Sequence, residues 1–437
     1  MSDALAYLED ARKKAAGVPG LPGDVAPRKI TKAGVVGAGT MGGGIAMCFA
    51  NAGIPAVVVE AEGDALDRGL KIIDANYVRS VKRGRFTEEE KSARMALIAG
   101  SLDFAGLKDC DIVIEAVFED MALKKKIFGL LSEICQLDAI LATNTSTLDV
   151  NEIATAAKNP ERVLGLHFFS PANVMPLLEV VHADKTSPEV LAAALTLAGT
   201  IKKIPVVSGV CFGFIGNRML QGYGREAQRM LLEGAAPRDV DSVLEDFGFA
   251  MGVLAVYDLA GIDVGHKIRQ SMANRPDDPA FFKAGEVMFE AGRYGQKTGR
   301  GFYRYEAGSR ERFDDDEAVK LIRAAAGDLG IEQRKIPREE ILERCLFPLI
   351  NEGARILEEG IALRASDIDV VWTAGYGFPR ERGGPMYYAD GIGLDTVLAG
   401  INKYRERFGD LYWTPAARLE KLASGKKTFA DWDRESA

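Results

Sequence analysis

Gly37-Ala38-Gly39-Thr40-Met41-Gly42 follows an apolar run, Ile30 to Val36, and opens a segment, Gly43 to Ala52, that reads as a helix. A second apolar run, Ala56 to Val59, then closes on an acid, Glu60. Strand, glycine-rich turn, helix and strand in that order are the pattern of a dinucleotide-binding βαβ unit. Gly37 permits the tight turn, Gly39 lets backbone approach a pyrophosphate, and Gly42 lets helix and strand pack closely. The helix N-terminus, with Thr40 and Met41 in its first turn, offers free N–H groups and a favourable dipole to phosphate. Glu60 stands where a carboxylate accepts hydrogen bonds from the adenosine ribose, which favours NAD over NADP.

Working outward, 437 residues predict two to three domains, and 47% hydrophobic with 27% charged residues is ordinary for a globular protein. A formal net charge of −8 argues against a nucleic-acid partner. Residues Ala33 to Val59 carry no charge, but several glycines and Pro55 interrupt them, so a buried βαβ unit is expected and not a membrane span. Met1 to Lys14 is charged from Asp3 onward and does not read as a signal peptide. The five cysteines, Cys48, Cys110, Cys135, Cys211 and Cys345, form no CxxC pair, predicting reduced thiols, a cytoplasmic location and no metal site.

Met1 to Ala16 reads as a short amphipathic helix and Gly17 to Pro27 as a Pro/Gly linker, giving an extension over residues 1–28. Further strands are expected at Asp111 to Val117, Ala139 to Asn144, Val163 to Phe168, Leu177 to Val181 and Ile204 to Val207. Helical stretches such as Asp64 to Arg83 and Leu123 to Cys135 separate several of them. This alternation predicts a mainly parallel sheet covered by helices over residues 29–210. From Gly213 the pattern turns to long helical periods. There, Arg225 to Gly234 aligns with Asn351 to Gly360, and Asp239-Val240-Asp241 is echoed by Asp367-Ile368-Asp369. A duplication is therefore expected, with copies over 211–330 and 335–437.

Three histidines narrow the search for a base near neutral pH. His167 ends an apolar strand, where ligands of such sheets bind. Glu179, if the chain turns near Asn173, faces it on the neighbouring strand. A buried carboxylate on one imidazole nitrogen fixes the tautomer and stabilises the imidazolium, which alcohol oxidation with NAD requires. A purely structural hydrogen bond between the two fits the spacing equally well. His182 lies at a polar strand exit and reads as solvated, while His266 reads as structural or surface.

Gly37 to Gly42, Asn144-Thr-Ser-Thr-Leu148, His167-Phe-Phe-Ser-Pro171, Leu178-Glu-Val180, Gly213-Phe-Ile-Gly-Asn-Arg218 and Lys297-Thr-Gly-Arg-Gly-Phe-Tyr303 together resemble the L-3-hydroxyacyl-CoA dehydrogenases of fatty-acid β-oxidation. The repeated helical region and Phe378 to Pro385 most resemble the C-terminal half of the multifunctional hydratase–dehydrogenases. Ser170 follows their pattern, where monofunctional members carry asparagine. The resemblance implies a Rossmann-type α/β domain followed by a duplicated all-α C-terminal region, and NAD-dependent interconversion of 3-hydroxyacyl-CoA and 3-ketoacyl-CoA. It implies that His167 is the general base, that Glu179 orients it, and that Ser146 and Asn217 hold the reacting oxygen. Ser146, Glu119, Lys124 and Lys297 are implied cofactor contacts, beside Gly37, Gly39, Thr40, Met41, Gly42 and Glu60. The basic cluster Arg79, Lys82, Arg83 and Arg85 is either a solvated face or the place where the CoA phosphates bind. The family's CoA-contacting serine and lysine fall on Asn76 and Arg83. Residues before Lys29 are too few for a hydratase domain, so no hydratase activity is expected. Single-copy relatives pair their helical domains between subunits, so two fused copies allow a monomer, with a homodimer as the alternative. Two rival readings remain: a relative acting on a small β-hydroxy acid without CoA, and a non-enzymatic NAD-binding protein.

Overall fold

Val35, Val36, Val58, Val59 and the run from Ile112 to Ile114 are all buried, as parallel strands covered on both faces must be. They form the centre of an eight-stranded sheet in a computed structural model that describes residues 3–19, 21, 28–272, 274–306, 308–309 and 311–435. Of the linker expected over Gly17 to Pro27, Gly20 and Pro22 to Pro27 lie outside the described residues. The N-terminal half runs α1 (Asp3–Ala15), β1 (Ala33–Val36), α2 (Thr40–Asn51), β2 (Ala56–Val59), α3 (Gly63–Lys82), α4 (Glu88–Ala96), β3 (Ile98–Ser101), β4 (Ile112–Glu115), α5 (Met121–Ile134), β5 (Ile140–Thr143), α6 (Val150–Ala154), β6 (Val163–Phe168), β7 (Leu177–Val181), α7 (Pro188–Thr200) and β8 (Ile204–Ser208).

The sheet order is β3-β2-β1-β4-β5-β6-β7-β8, and every pairing is parallel except β6 with β7. The first strand begins at Ala33 and not at Ile30. The N–H groups of Thr31 and Lys32 are taken by the Asp111 carboxylate, at 2.6 and 3.1 Å, before the ladder starts. Edge strand β3 and helix α4 are additions to the expected elements. A Cβ on Gly100 in β3 would lie 3.1 Å from Leu66 and Leu70 of α3, so the glycine lets the helix lie close on the strand.

The helical half continues α8 (Gly216–Leu232), α9 (Pro237–Phe247), α10 (Val253–Ala260), α11 (Ile262–Gln270), α12 (Lys283–Glu290), the hairpin β9 (Arg304–Tyr305) with β10 (Arg312–Phe313), and α13 (Asp316–Asp328). Then come α14 (Arg338–Glu358), α15 (Ala365–Gly375), α16 (Pro385–Ile392), α17 (Leu394–Phe408), α18 (Asp410–Trp413), α19 (Ala417–Ser424) and α20 (Phe429–Glu435). Met219, Tyr223, Ala227 and Met230 of α8 share one core with Ile350, Ala354 and Leu357 of α14. Arg344 of α14 is fully buried there and pairs with Glu226 and Glu233, both at 2.8 Å. Two carboxylates against one guanidinium meet the condition for burying charge, which is pairing and hydrogen bonding together.

One pattern of buried or half-buried acids occurs in both halves of this region. Asp241 accepts from the N–H groups of Leu254 and Ala255, both at 3.0 Å, at the start of α10. Asp369 does the same for Met386 and Tyr387, at 2.7 and 3.0 Å, at the start of α16. Asp258 accepts from Phe302 and Tyr303, and Asp390 accepts from Phe429 and Ala430. The Tyr303 hydroxyl then donates to Asp241 at 2.8 Å. Ala430 has no phenol to do this for Asp369, and Tyr7 of α1 donates to it at 2.7 Å instead. Helix α1 buries Ala4, Leu8, Ala11 and Ala15, a stripe at helical spacing. It therefore completes the second half of the helical region.

Candidate functional site

The glycine-rich turn sits between β1 and α2. Gly37 has φ of 103°, and a Cβ there would lie 2.7 Å from the Ala116 carbonyl oxygen. A Cβ on Gly42 would lie 1.9 Å from the Gly37 carbonyl, so neither position accepts a side chain. Gly39 has nothing within 4 Å of its missing Cβ and leads into α2 with no side-chain cap. An open approach and free N–H groups at a helix start suit a pyrophosphate. Thr40 and Met41 begin that helix. Glu60, just past β2, accepts from Ala38 N–H at 2.9 Å and Ala61 N–H at 2.8 Å, which places its carboxylate beside the turn. These residues fit the adenosine diphosphate part of NAD.

Strands β6 and β7 carry the proton-handling pair. His167 and Glu179 are direct partners in the antiparallel register. Their side chains meet at 2.7 Å between Nδ1 and Oε2, with His167 at 6% exposure and Glu179 at 0%. The second carboxylate oxygen of Glu179 accepts from the Gly216 N–H at 3.0 Å, at the start of α8. With Nδ1 engaged by a carboxylate, Nε2 is the nitrogen free to take a proton. Phe169 and Phe214 pack beside the imidazole, with centroids 4.5 and 5.6 Å away.

Asn217 follows Gly216, whose N–H donates to Glu179, in the first turn of α8. Its Oδ1 accepts from the Tyr376 hydroxyl at 2.8 Å. Ser146, in the loop after β5, donates to Glu119 Oε1 from both its N–H, at 2.7 Å, and its hydroxyl, at 3.1 Å. Thr145 and Thr147 donate to the same oxygen, so Glu119 gathers the whole loop. Burial pushes the Glu119 carboxyl up, but the Lys124 charge and the hydrogen bonds from Thr145 and Ser146 outweigh it and leave the group below its ordinary range. Lys124 itself is only 1% exposed, and its amine rests on Glu115 at 2.7 Å and Glu119 at 3.4 Å. It lies behind Glu119 as a support.

The remaining expected residues are more dispersed. Lys297 pairs with Asp263 at 2.5 Å and lies over the Tyr294 ring, both within the helical region. Asn76 accepts from Arg79 on α3, while Lys82 and Arg83 are exposed at and just past its end. Among the described residues no carboxylate pairs with Arg79, Lys82 or Arg83, so this face is free to meet an anion. His182 bonds the Thr186 carbonyl at 3.3 Å, and His266 pairs with Glu286 under Phe289.

An apolar cavity of about 90 Å³ opens beside Asn217 and Thr147, walled by Leu220, Tyr257, Ile268 and Phe282 among others. It shares Phe212, Gln221 and Met272 with a larger cavity of about 360 Å³ between α8 and α14. Two participants were not among the expected site residues. Gly216 acts through its backbone, and Tyr376 lies far along the chain from Asn217.

A doubly wound sheet with a glycine-rich turn carries a buried imidazole–carboxylate pair near its strand ends, the arrangement of a dinucleotide-binding fold with a proton-handling site. The chain belongs to the 3-hydroxyacyl-CoA dehydrogenase family. Residues 32–211 match the model of that family's NAD binding domain, and residues 213–305 and 341–430 each match its C-terminal domain. The chain is 44% identical to the human peroxisomal bifunctional enzyme over 420 residues, covering 93% of this chain and 58% of that protein. It is 39% identical to the fatty acid oxidation complex subunit alpha of Shewanella amazonensis over 412 residues, covering 93% and 57%. The chain thus spans a little over half the length of these relatives. Among solved structures it resembles 3-hydroxybutyryl-CoA dehydrogenase from Escherichia coli K12, with TM-score 0.79 and 26% identity over 92% of this chain and 100% of that one. The dehydrogenase part of multifunctional enzyme 1 from C. elegans matches with TM-score 0.69 and 31% identity over 96% and 97%. Among the described residues no helix is long and apolar enough to cross a membrane.

Proposed function

We propose that the chain is an NAD-dependent (S)-3-hydroxyacyl-CoA dehydrogenase that interconverts 3-hydroxyacyl-CoA and 3-ketoacyl-CoA. The observation that carries this reading is the buried His167–Glu179 pair, 2.7 Å apart, on neighbouring strands of the sheet that also carries the dinucleotide turn. Gly37, Gly39, Gly42 and Glu60 would hold NAD, which would supply the hydride-transfer chemistry at C3. His167 Nε2 takes the hydroxyl proton as the C3–O bond becomes a carbonyl, and Glu179 stabilises the imidazolium so formed. Asn217 Nδ2 donates to the reacting oxygen, stabilising charge where it develops in the reverse direction. Ser146, on the loop that Glu119 holds, would turn its hydroxyl from Glu119 to the same oxygen. The apolar cavity at Asn217 suits an acyl chain, and the exposed cations Arg79, Lys82 and Arg83 suit the CoA phosphates.

The test is reduction of acetoacetyl-CoA against free acetoacetate, monitored as loss of NADH absorbance. Turnover of the thioester alone supports the assignment. Turnover of the free acid at equal efficiency would point to a β-hydroxy acid dehydrogenase and remove CoA from the account.

Two copies of the helical domain, over 211–330 and 335–437, are our reading of the repeated acid pattern. Their shared core supports a monomer, which light scattering at micromolar concentration would contradict by a concentration-independent dimer mass. A reducing compartment, with cytoplasm as our reading, is supported by five unpaired cysteines, four of them buried. Cell fractionation that found the protein in an organelle would overturn it. The peroxisomal names belong to the animal and plant relatives.

A further inference from the structure

Tyr376 comes directly after α15, which lies far from the dinucleotide domain in sequence, yet its hydroxyl reaches Asn217 at 2.8 Å. Several contacts build this approach. A Cβ on Gly216 would lie 2.1 Å from Tyr376 Cε2 and 2.5 Å from its hydroxyl oxygen, so the glycine before Asn217 makes room for the phenol. Trp372 stacks on the Tyr376 ring at 4.9 Å, and Phe169, which packs on His167, meets its edge at 5.5 Å. A Cβ on Gly375 would lie 2.4 Å from Leu177 of β7, so the end of α15 is pressed onto the strand that carries Glu179.

The chemistry of the contact decides which way the amide points. Among the described residues the Tyr376 hydroxyl makes no hydrogen bond other than that to Asn217. A phenol hydrogen with one available acceptor goes to the amide oxygen, because leaving it unpaired in a half-buried setting among aromatic rings is costly. With Oδ1 occupied, the Asn217 Nδ2 hydrogens are left for another acceptor. Burial, reinforced by the Glu179 charge, holds the Tyr376 phenol well above its ordinary pKa, so it remains a donor throughout the working range.

We propose that Tyr376 is a positioning residue for catalysis, fixing the Asn217 amide so that Nδ2 donates to the reacting oxygen. The second half of the helical region thereby contributes to a site otherwise built from the sheet domain and the first half. This inference rests on the proposed role of Asn217, and the experiment separates the two.

Tyr376→Phe, Asn217→Ala and the double variant are assayed with acetoacetyl-CoA and NADH, with NADH affinity and melting temperature measured on the same preparations. Loss of the orienting hydrogen bond is expected to lower kcat of Tyr376→Phe by about tenfold while NADH affinity is kept. The double variant should match Asn217→Ala alone, because a phenol with no amide to orient has no further effect. A merely structural role would lower the melting temperature and add its kinetic effect to that of Asn217→Ala, which would overturn the inference. Wild-type kcat in Tyr376→Phe alongside collapse in Asn217→Ala would overturn it while leaving the role of Asn217 standing. Wild-type kcat in Asn217→Ala would remove both.

Discussion

Glu179→Gln changes one atom type in a fully buried position, and the hydrogen bonds around that position decide its effect. The carboxylate has two occupied oxygens: Oε2 faces His167 Nδ1 at 2.7 Å and Oε1 faces the Gly216 N–H at 3.0 Å. Glutamine offers an acceptor to only one of these. If its carbonyl faces Gly216, the amide nitrogen donates to Nδ1, the histidine proton moves to Nε2, and Nε2 can no longer act as a base. If the carbonyl faces His167, two N–H groups confront each other at Gly216, at a cost of about 1–3 kcal/mol for the unsatisfied donor. The first arrangement avoids that cost and is the one expected. A wrong tautomer combined with loss of the charge that stabilises imidazolium should lower kcat by about 10²–10⁴-fold. NADH affinity should stay near wild type, because the glycine-rich turn and Glu60 are untouched. Steady-state reduction of acetoacetyl-CoA gives kcat, and NADH fluorescence titration on the same sample gives affinity. Near-wild-type kcat in a folded Glu179→Gln protein would refute the reasoning.

Tyr7→Phe removes a phenol that donates to buried Asp369, and it is expected to lower stability by about 1–3 kcal/mol with kcat per folded molecule unchanged; thermal melts and kinetics check both. Asp241 is pushed from 3.8 up to about 6, mainly by burial. Between those values the folded protein keeps a proton that the unfolded chain has released, so the associated stability is full below about pH 4 and is lost as pH rises through about 6. The stability gap between wild type and Asp241→Asn should therefore narrow by up to about 3 kcal/mol from pH 4 to 7, as denaturant titrations at several pH values would register. NADPH should be used much less efficiently than NADH, because the Glu60 carboxylate repels a 2′-phosphate; equal kcat/KM for the two would contradict that.

The central strands were legible because burial on both faces demands unbroken apolar runs, as Val35-Val36, Val57-Val58-Val59 and Ile112-Val113-Ile114 show. Strand β3 was not. Ile98-Ala99-Gly100-Ser101 lies at the sheet edge with Ala99 and Gly100 exposed, so neither hydrophobicity nor β-branching marks it. The pairing of His167 with Glu179 could be read from two short strands and a turn, since antiparallel register is a local property. Tyr376 and Tyr7 could not, because each acts through a partner far along the chain and only packing brings them together. Lys124 shows the opposite limit. Lysine is ordinarily a surface residue, while Glu115 and Glu119 let this one be buried whole.

The most direct test of the account is kcat of His167→Ala for reduction of acetoacetyl-CoA, measured with NADH affinity and melting temperature on one preparation. The account predicts a fall of about 10²–10⁴-fold in kcat with NADH binding retained. A folded His167→Ala protein that turns over at close to the wild-type rate would contradict it.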